Sequence, residues 1–323
     1  MLFINQEQVK QMLSMEKCIT IMEKVLVDLS NGETVQPLRT AIPVNQNNLL
    51  GLMPGILKKE EVVGTKLITI FPENHKEGLP SHQGVVIIFD AKDGKMKAVV
   101  DGSEITAIRT AAASAVATNY LANPHSEVLT IIGTGEQART HLEAMLLIRP
   151  IKKVNVWSKR QEKARQFKKE MEEKHGVEIT IFHSVEEAVQ HADIICTVTS
   201  STVPILDGSW VKKGAHVNAV GACRPMDREL DSDLVKNAHF YVDRLESAVN
   251  ESGDYLIPLK EGVIDETHIL GEIGDVIKQT VQGRQAEDNI TIFESLGLAV
   301  EDLAVAEFLY QEASIERENV EGE

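Results

Sequence analysis

The stretch Val128-Leu129-Thr130-Ile131-Ile132-Gly133-Thr134-Gly135-Glu136-Gln137-Ala138 decides how this chain folds. Val128–Ile132 is a short, largely apolar run of strand length that ends on a glycine, and a helical pattern opens directly after it over 136–148. Strand, glycine turn and helix are the setting of a dinucleotide fingerprint, G-x-G-x-x-A. Gly133 would allow the tight turn, Gly135 would let the backbone approach a pyrophosphate, and the small Ala138 would let the helix pack on the strand. The helix N-terminus then offers its partial positive charge to the phosphates. By itself the motif also fits an ordinary strand-to-helix turn. Its surroundings argue for the ligand.

Downstream, strand-like and helix-like segments alternate. Strands are predicted at Lys153–Trp157, 178–182, 194–198, 216–220 and His239–Val242, with helices over 160–174 and 184–191 between them. This rhythm predicts an α/β fold with a Rossmann-type, doubly wound, mostly parallel sheet. The second strand ends in Trp157-Ser158-Lys159-Arg160, with no carboxylate for a ribose 2′-hydroxyl and two cations instead. That tip suits a 2′-phosphate, so NADPH is the expected cofactor and NADH the alternative. Against this, Lys159 and Arg160 could simply begin a solvated helix.

Upstream, the pattern differs. Apolar residues at helical spacing predict a helix over 6–31, and Val- and Ile-rich runs at 62–71 and 84–89 predict strands. Asp93-Gly94 predicts a hairpin, and the alanine-rich 103–121 a helix. The stretch 295–313 reads as a final amphipathic helix. Residues 1–120, completed by 296–323, are therefore expected to form one domain, and 121–295 the dinucleotide-binding one.

Of 323 residues, 43% are hydrophobic and 25% charged, an ordinary globular mixture. The formal charge of −16 repels phosphate backbones and anionic lipid, which argues against nucleic acid or membrane partners. The three cysteines are scattered, no metal-ligand spacing occurs, and no apolar leader or span is present, so a cytoplasmic location without a metal is expected. An anionic substrate would need local cations to overcome the overall field. Lys66 inside VVGTKLITIF and Arg109 inside EITAIRTAAASA are cations in apolar or small surroundings, costly unless partnered. A bound carboxylate would serve Arg109, and so would Glu104 or Asp101. Arg39 and the loop histidines His75 and His82 complete the candidates.

The runs VGTKLITIFPENHKEGLPSHQG (63–84), DGSEITAIRTAAASAVAT (101–118), IIGTGEQARTH (131–141) and VNAVGACRPMDREL (217–230) resemble the ornithine cyclodeaminase/mu-crystallin family. So do GEIGDVI (271–277) and FESLGLAVEDLAVA (293–306), and together they span nearly the whole chain in order. The resemblance implies a Rossmann domain inserted into a second α/β domain that binds substrate and forms a homodimer. It implies that Arg39, Lys66 and Arg109 hold a substrate carboxylate, with Lys66 and Arg109 catalytic, and that Ser81 and His82 approach cofactor or substrate. Gly133, Gly135, Glu136 and Gln137 would take the pyrophosphate, and Ser158, Lys159 and Arg160 the adenosine ribose. Thr199, Val220, Ser295 and Leu296 would lie toward the nicotinamide.

One departure bears on the reaction. Ornithine cyclodeaminases of the family carry an acid/base Asp soon after the NAVG strand, where this sequence has Cys223. A neutral thiol cannot do a carboxylate's work, so Cys223 is expected only to line the substrate pocket. The expected activity is NAD(P)H-dependent reduction of a small cyclic imino acid, Δ1-pyrroline-2-carboxylate or Δ1-piperideine-2-carboxylate. The alternatives are ornithine cyclodeamination, an alanine-type amino acid dehydrogenase, and a dinucleotide-dependent binding protein without turnover.

Overall fold

The computed structural model describes residues 1–321, with the backbone alone for residues 75, 76 and 318–321. The chain divides into two compact units, Met1–Arg109 with Gly297–Glu323, and Thr110–Leu296. The division falls inside the helix Gly102–Leu121.

The first unit holds strands β1 (Leu2–Ile4), β2 (Thr34–Val35), β3 (Thr40–Pro43), β4 (Leu49–Leu57), β5 (Val62–Ile70), β6 (His82–Asp90) and β7 (Met96–Asp101). They form one sheet in the order β1-β7-β6-β5-β4-β2, with β3 also paired to β4, and only the β1–β7 pair is parallel. The β6–β7 hairpin turns through Asp93-Gly94, with Gly94 at φ 73 in the left-handed region that glycine accepts. The helices Met15–Ser30 and Ala299–Glu321 pack against each other, and the latter lies on β4, β5 and β6. Side chains alternate accordingly along β5: Val62, Lys66 and Ile68 are buried toward the helices, while Val63, Thr65, Leu67 and Thr69 face the other way, half-buried. The helix predicted over 6–31 is two helices, Gln6–Met12 and Met15–Ser30. Ser14 causes the break, because its hydroxyl caps the second helix by accepting from Lys17 N at 3.3 Å.

The second unit holds β8 (Val128–Ile132), β9 (Lys153–Trp157), β10 (Ile179–Ile181), β11 (Ile194–Thr197), β12 (His216–Ala219), β13 (His239–Val242), β14 (Ile269–Glu272) and β15 (Thr291–Glu294). They form a wholly parallel sheet in the order β10-β9-β8-β11-β12-β15-β13-β14. Strand succession runs outward from β8 to β9 and β10 on one side and through β11 to β12 on the other. The reversal therefore lies beside β8, where ligands of such folds bind outside the carboxyl ends of the strands. No helix among the described residues is long and apolar enough to cross a membrane.

Candidate functional site

In the first unit, the expected substrate cations converge on the last helix. Lys66, 1% exposed, donates from Nζ to Asp302 Oδ1 at 3.0 Å. Arg109, 4% exposed, donates from Nε to the same oxygen at 3.2 Å and from Nη1 to Glu301 Oε2 at 2.8 Å. Arg39 Nη2 donates to Gly297 O at 3.0 Å. The local partners considered for Arg109 are otherwise engaged: Asp101 accepts from Glu104 N, and the Glu104 side chain lies with Gln6 and Lys10. Its counter-charges instead come from residues nearly two hundred positions later, brought back by the final helix. Gly297 makes room for this, since at φ +79 a Cβ there would lie 2.7 Å from Arg109 Nη1.

The electrostatics follow from burial. Desolvation pushes the Lys66 ammonium down to about 8, Asp302 opposes that, and Arg109 and Arg39 add to it. Burial likewise raises the Glu301 carboxyl, against the pull of Arg109. Ser81 and His82 sit where β6 begins, joined by a Ser81 Oγ–His82 Nδ1 hydrogen bond of 2.9 Å. His82 stands four residues before Val86, the register partner of Lys66, so the two occupy the same sheet face. The His75 side chain lies outside the described residues.

In the second unit, the expected cofactor residues line the carboxyl edge of the sheet. Gly133 ends β8 at φ +121, and a Cβ there would stand 2.7 Å from Val198 O. Gly135 differs: it caps the helix Glu136–Ile148 at φ −80, and a Cβ there would meet no described atom within 4 Å. Its missing side chain leaves open space in front of a helix N-terminus, beside Glu136 and Gln137, which is what a pyrophosphate requires. Ala138 is fully buried behind it. Arg139 holds two of the loop's carbonyls, donating from Nη1 to Thr134 O at 2.9 Å and Gly135 O at 3.0 Å.

Ser158, at the end of β9, accepts from Thr134 Oγ1 at 3.1 Å, and exposed Lys159 and Arg160 follow it. Thr199, Val220 and Ser295 follow β11, β12 and β15 at the same edge. A buried carboxylate ties two of these loops together: Glu229 accepts from Thr199 N at 2.8 Å and from Gly221 N at 2.9 Å. Ser295 N donates to Ala219 O, and Leu296 N to Asp243 Oδ2. Cys223, half-buried in the loop after β12, donates from Sγ to Val220 O at 3.5 Å. Among the described residues no group of three or more His, Cys, Asp or Glu side chains could hold a metal ion.

The sequence model of the ornithine cyclodeaminase/mu-crystallin family matches residues 1–317. The chain belongs to that family. Members similar to it include Δ1-pyrroline-2-carboxylate reductase of Bacillus cereus, 37% identical over 97% of each chain. The ketimine reductase mu-crystallin of Rattus norvegicus is 41% identical over 95% of this chain and 96% of its own. Among solved structures, Thermococcus litoralis Δ1-pyrroline-2-carboxylate reductase, in complex with NADH and L-proline, superposes with a TM-score of 0.95 at 39% identity, covering 98% of both chains.

Four residues around these sites, Glu301, Asp302, Arg139 and Glu229, were not singled out from the sequence. Glu301 and Asp302 carried a signal, being two carboxylates inside the apolar run LGLAVEDLAVA, by the reasoning that singled out Arg109. Arg139 and Glu229 carried none, because their role depends on which backbone groups the fold turns toward them.

Proposed function

We propose that this protein reduces a small cyclic imino acid with a nicotinamide dinucleotide, taking Δ1-pyrroline-2-carboxylate to L-proline, Δ1-piperideine-2-carboxylate to L-pipecolate, or both. The observation that carries the reading is the meeting of Arg39, Lys66 and Arg109 in one place, two of them buried, in a chain of net charge −16. Such a concentration of positive charge suits a small carboxylate. The reductases among its relatives support the same reaction, as does the pairing of NADH with L-proline in the Thermococcus litoralis enzyme.

The residues divide the work. Arg39, Lys66 and Arg109 hold the carboxylate and so fix the orientation of the ring, with His82 and Cys223 completing the substrate contacts. Gly133, Gly135, Glu136 and Gln137 take the pyrophosphate, Ser158, Lys159 and Arg160 the adenosine ribose, and Ser81, Thr199, Val220 and Ser295 the nicotinamide half. The dinucleotide, when bound, supplies a hydride. The C=N bond gains that hydride at C2 and a proton at nitrogen. The proton can arrive with the substrate as its iminium form, so orientation and charge placement are the protein's contribution. Cyclodeamination of ornithine asks more, a base for the amine, and Cys223 offers a thiol in that loop.

A screen of cyclic imines and amino acids with both reduced dinucleotides tests the reading. Imine-dependent loss of reduced-nicotinamide absorbance is expected. Ammonia release from L-ornithine without imine reduction would overturn it, as would dinucleotide binding without turnover. NADPH is the preferred donor on this reading, supported by exposed Lys159 and Arg160 and the lack of a carboxylate at the β9 tip. Replacing both cations by alanine should raise the NADPH KM about 10–100-fold and leave that for NADH nearly unchanged.

The protein acts as a homodimer in the cytoplasm. Half-buried Leu52, Ile56, Leu67, Val85, Ile87 and Phe89 make an apolar sheet face opposite the helices, which a second copy would cover. Cys18, Cys196 and Cys223 form no disulfide among the described residues, which suits a reducing compartment. Sedimentation equilibrium giving the mass of one chain would remove the dimer.

A further inference from the structure

Among the groups around the substrate cations, Asp302 stands apart. One of its oxygens, Oδ1, accepts from both Lys66 Nζ and Arg109 Nε, at 3.0 and 3.2 Å, and the residue is fully buried. We propose that Asp302 is a positioning residue that sets the spacing of Lys66 and Arg109 and keeps Lys66 protonated for the substrate carboxylate. The proposal rests on the reading that these cations bind a carboxylate.

Three observations support it. The first is the surroundings of Lys66. The charged groups facing it are Arg109 from the helix Gly102–Leu121, Arg39 from the segment before β3, and Asp302 with Glu301 from the helix Ala299–Glu321. Cys18 from the helix Met15–Ser30 lies in the same field, its thiol held neutral by burial. Neither guanidinium can give up its proton, so both repel an ammonium at Lys66 whatever the pH. Burial acts in the same direction, and Asp302 is the group that hydrogen-bonds the ammonium and opposes the loss of its proton.

The second is the division of labour between the acids. Glu301 Oε2 holds Arg109 Nη1 at 2.8 Å and accepts from Leu298 N at 3.2 Å, so it anchors the guanidinium to the start of the last helix. Glu301 raises the same question of charge but contacts one cation, whereas Asp302 links both. The third is the sum of charge. Three cations against two carboxylates leave one positive charge, the complement of a single substrate carboxylate. If Lys66 lost its proton the ligand-free cluster would be neutral and that attraction would disappear.

The experiment uses the full-length protein with dinucleotide bound. Asp302→Asn keeps the shape and an acceptor oxygen but removes the charge, and Asp302→Glu keeps the charge. Two quantities are read: the pH profile of kcat/KM for Δ1-pyrroline-2-carboxylate, and the titration of Lys66 by NMR of 13C-labelled lysine, assigned with Lys66→Arg. In Asp302→Asn the Lys66 titration and the alkaline limb of kcat/KM should both move down by a pH unit or more. KM at pH 8 should rise about tenfold or more, because a neutral Lys66 no longer pairs with the carboxylate even though loss of the Asp302 charge leaves the cluster's sum at one positive charge, while dinucleotide affinity stays within about twofold. Asp302→Glu should return the alkaline limb toward that of the parent while keeping a raised KM.

An unmoved Lys66 titration in Asp302→Asn overturns the proposal even if activity falls, because a purely structural role lowers activity at every pH alike. If Asp302→Asn does not fold, an Asp302→Glu variant with parental KM and a lowered Lys66 titration overturns it. A shifted titration in a protein that reduces no imine leaves the role of Asp302 standing and removes the substrate reading instead.

Discussion

Arg109→Lys is expected to raise the KM for the cyclic imine about 100-fold and to lower kcat by less than about 10-fold. Affinity for the dinucleotide should remain within about twofold. The reason lies in the shape of the guanidinium. Arg109 engages Asp302 through Nε and Glu301 through Nη1, and a planar fork can satisfy such partners and a substrate carboxylate together. A lysine ammonium supplies the charge as a point and cannot reproduce that spacing. Arg109→Met is the harsher form, because it leaves Glu301 and Asp302 buried with Lys66 as their remaining close cation, and breaking a buried pair costs about 3–5 kcal/mol. Initial rates at saturating dinucleotide, with a fluorescence titration of the dinucleotide alone, check the expectation. Equal loss of both affinities would show that Arg109 serves folding or the cofactor.

The two glycines of the fingerprint should separate folding from binding. Gly133→Val forces a side chain into φ +121 and into contact with Val198 O, so it should destabilise the second unit by about 2–4 kcal/mol and lower the melting temperature. Gly135→Val meets neither obstacle: φ is −80 and no described atom approaches the new Cβ. It should fold with a melting temperature close to the parent's. Its branched side chain would instead fill the space before the helix N-terminus and weaken dinucleotide binding about 100-fold or more. Calorimetry of both variants, with and without NADPH, distinguishes the effects. Undiminished stabilisation of Gly135→Val by NADPH would place the pyrophosphate elsewhere.

What the sequence disclosed and what it concealed follow from the range of the interactions. The edge of β8, the start of the next helix and the β6–β7 hairpin are written in neighbouring residues, through the Gly133 and Gly94 turns and apolar runs between them. The strands β14 and β15 are no shorter than β11, β12 and β13, but each offers two apolar residues and ends on a glutamate, too weak a pattern to stand out. The unusual placement of Lys66 and Arg109 was legible because a cation in apolar company demands an explanation. Their partners were not, since local spacing pointed to Glu104 or Asp101 while the chain supplies Glu301 and Asp302 from its far end. The reach of the Glu229 carboxylate to Thr199 and Gly221 is equally a product of tertiary folding.

The return of the last helix has a consequence for biosynthesis. Thr110–Leu296 is one unbroken segment and can fold as it leaves the ribosome, whereas the other unit needs residues from both sides of it. Until Glu301 and Asp302 are made, Lys66 and Arg109 have no acid from the final helix to meet them, and the groove for that helix on β4, β5 and β6 stays uncovered. Residues 1–109 are therefore made before Thr110–Leu296 yet mature after it, and Lys66 and Arg109 reach their paired state only once Glu301 and Asp302 have been made.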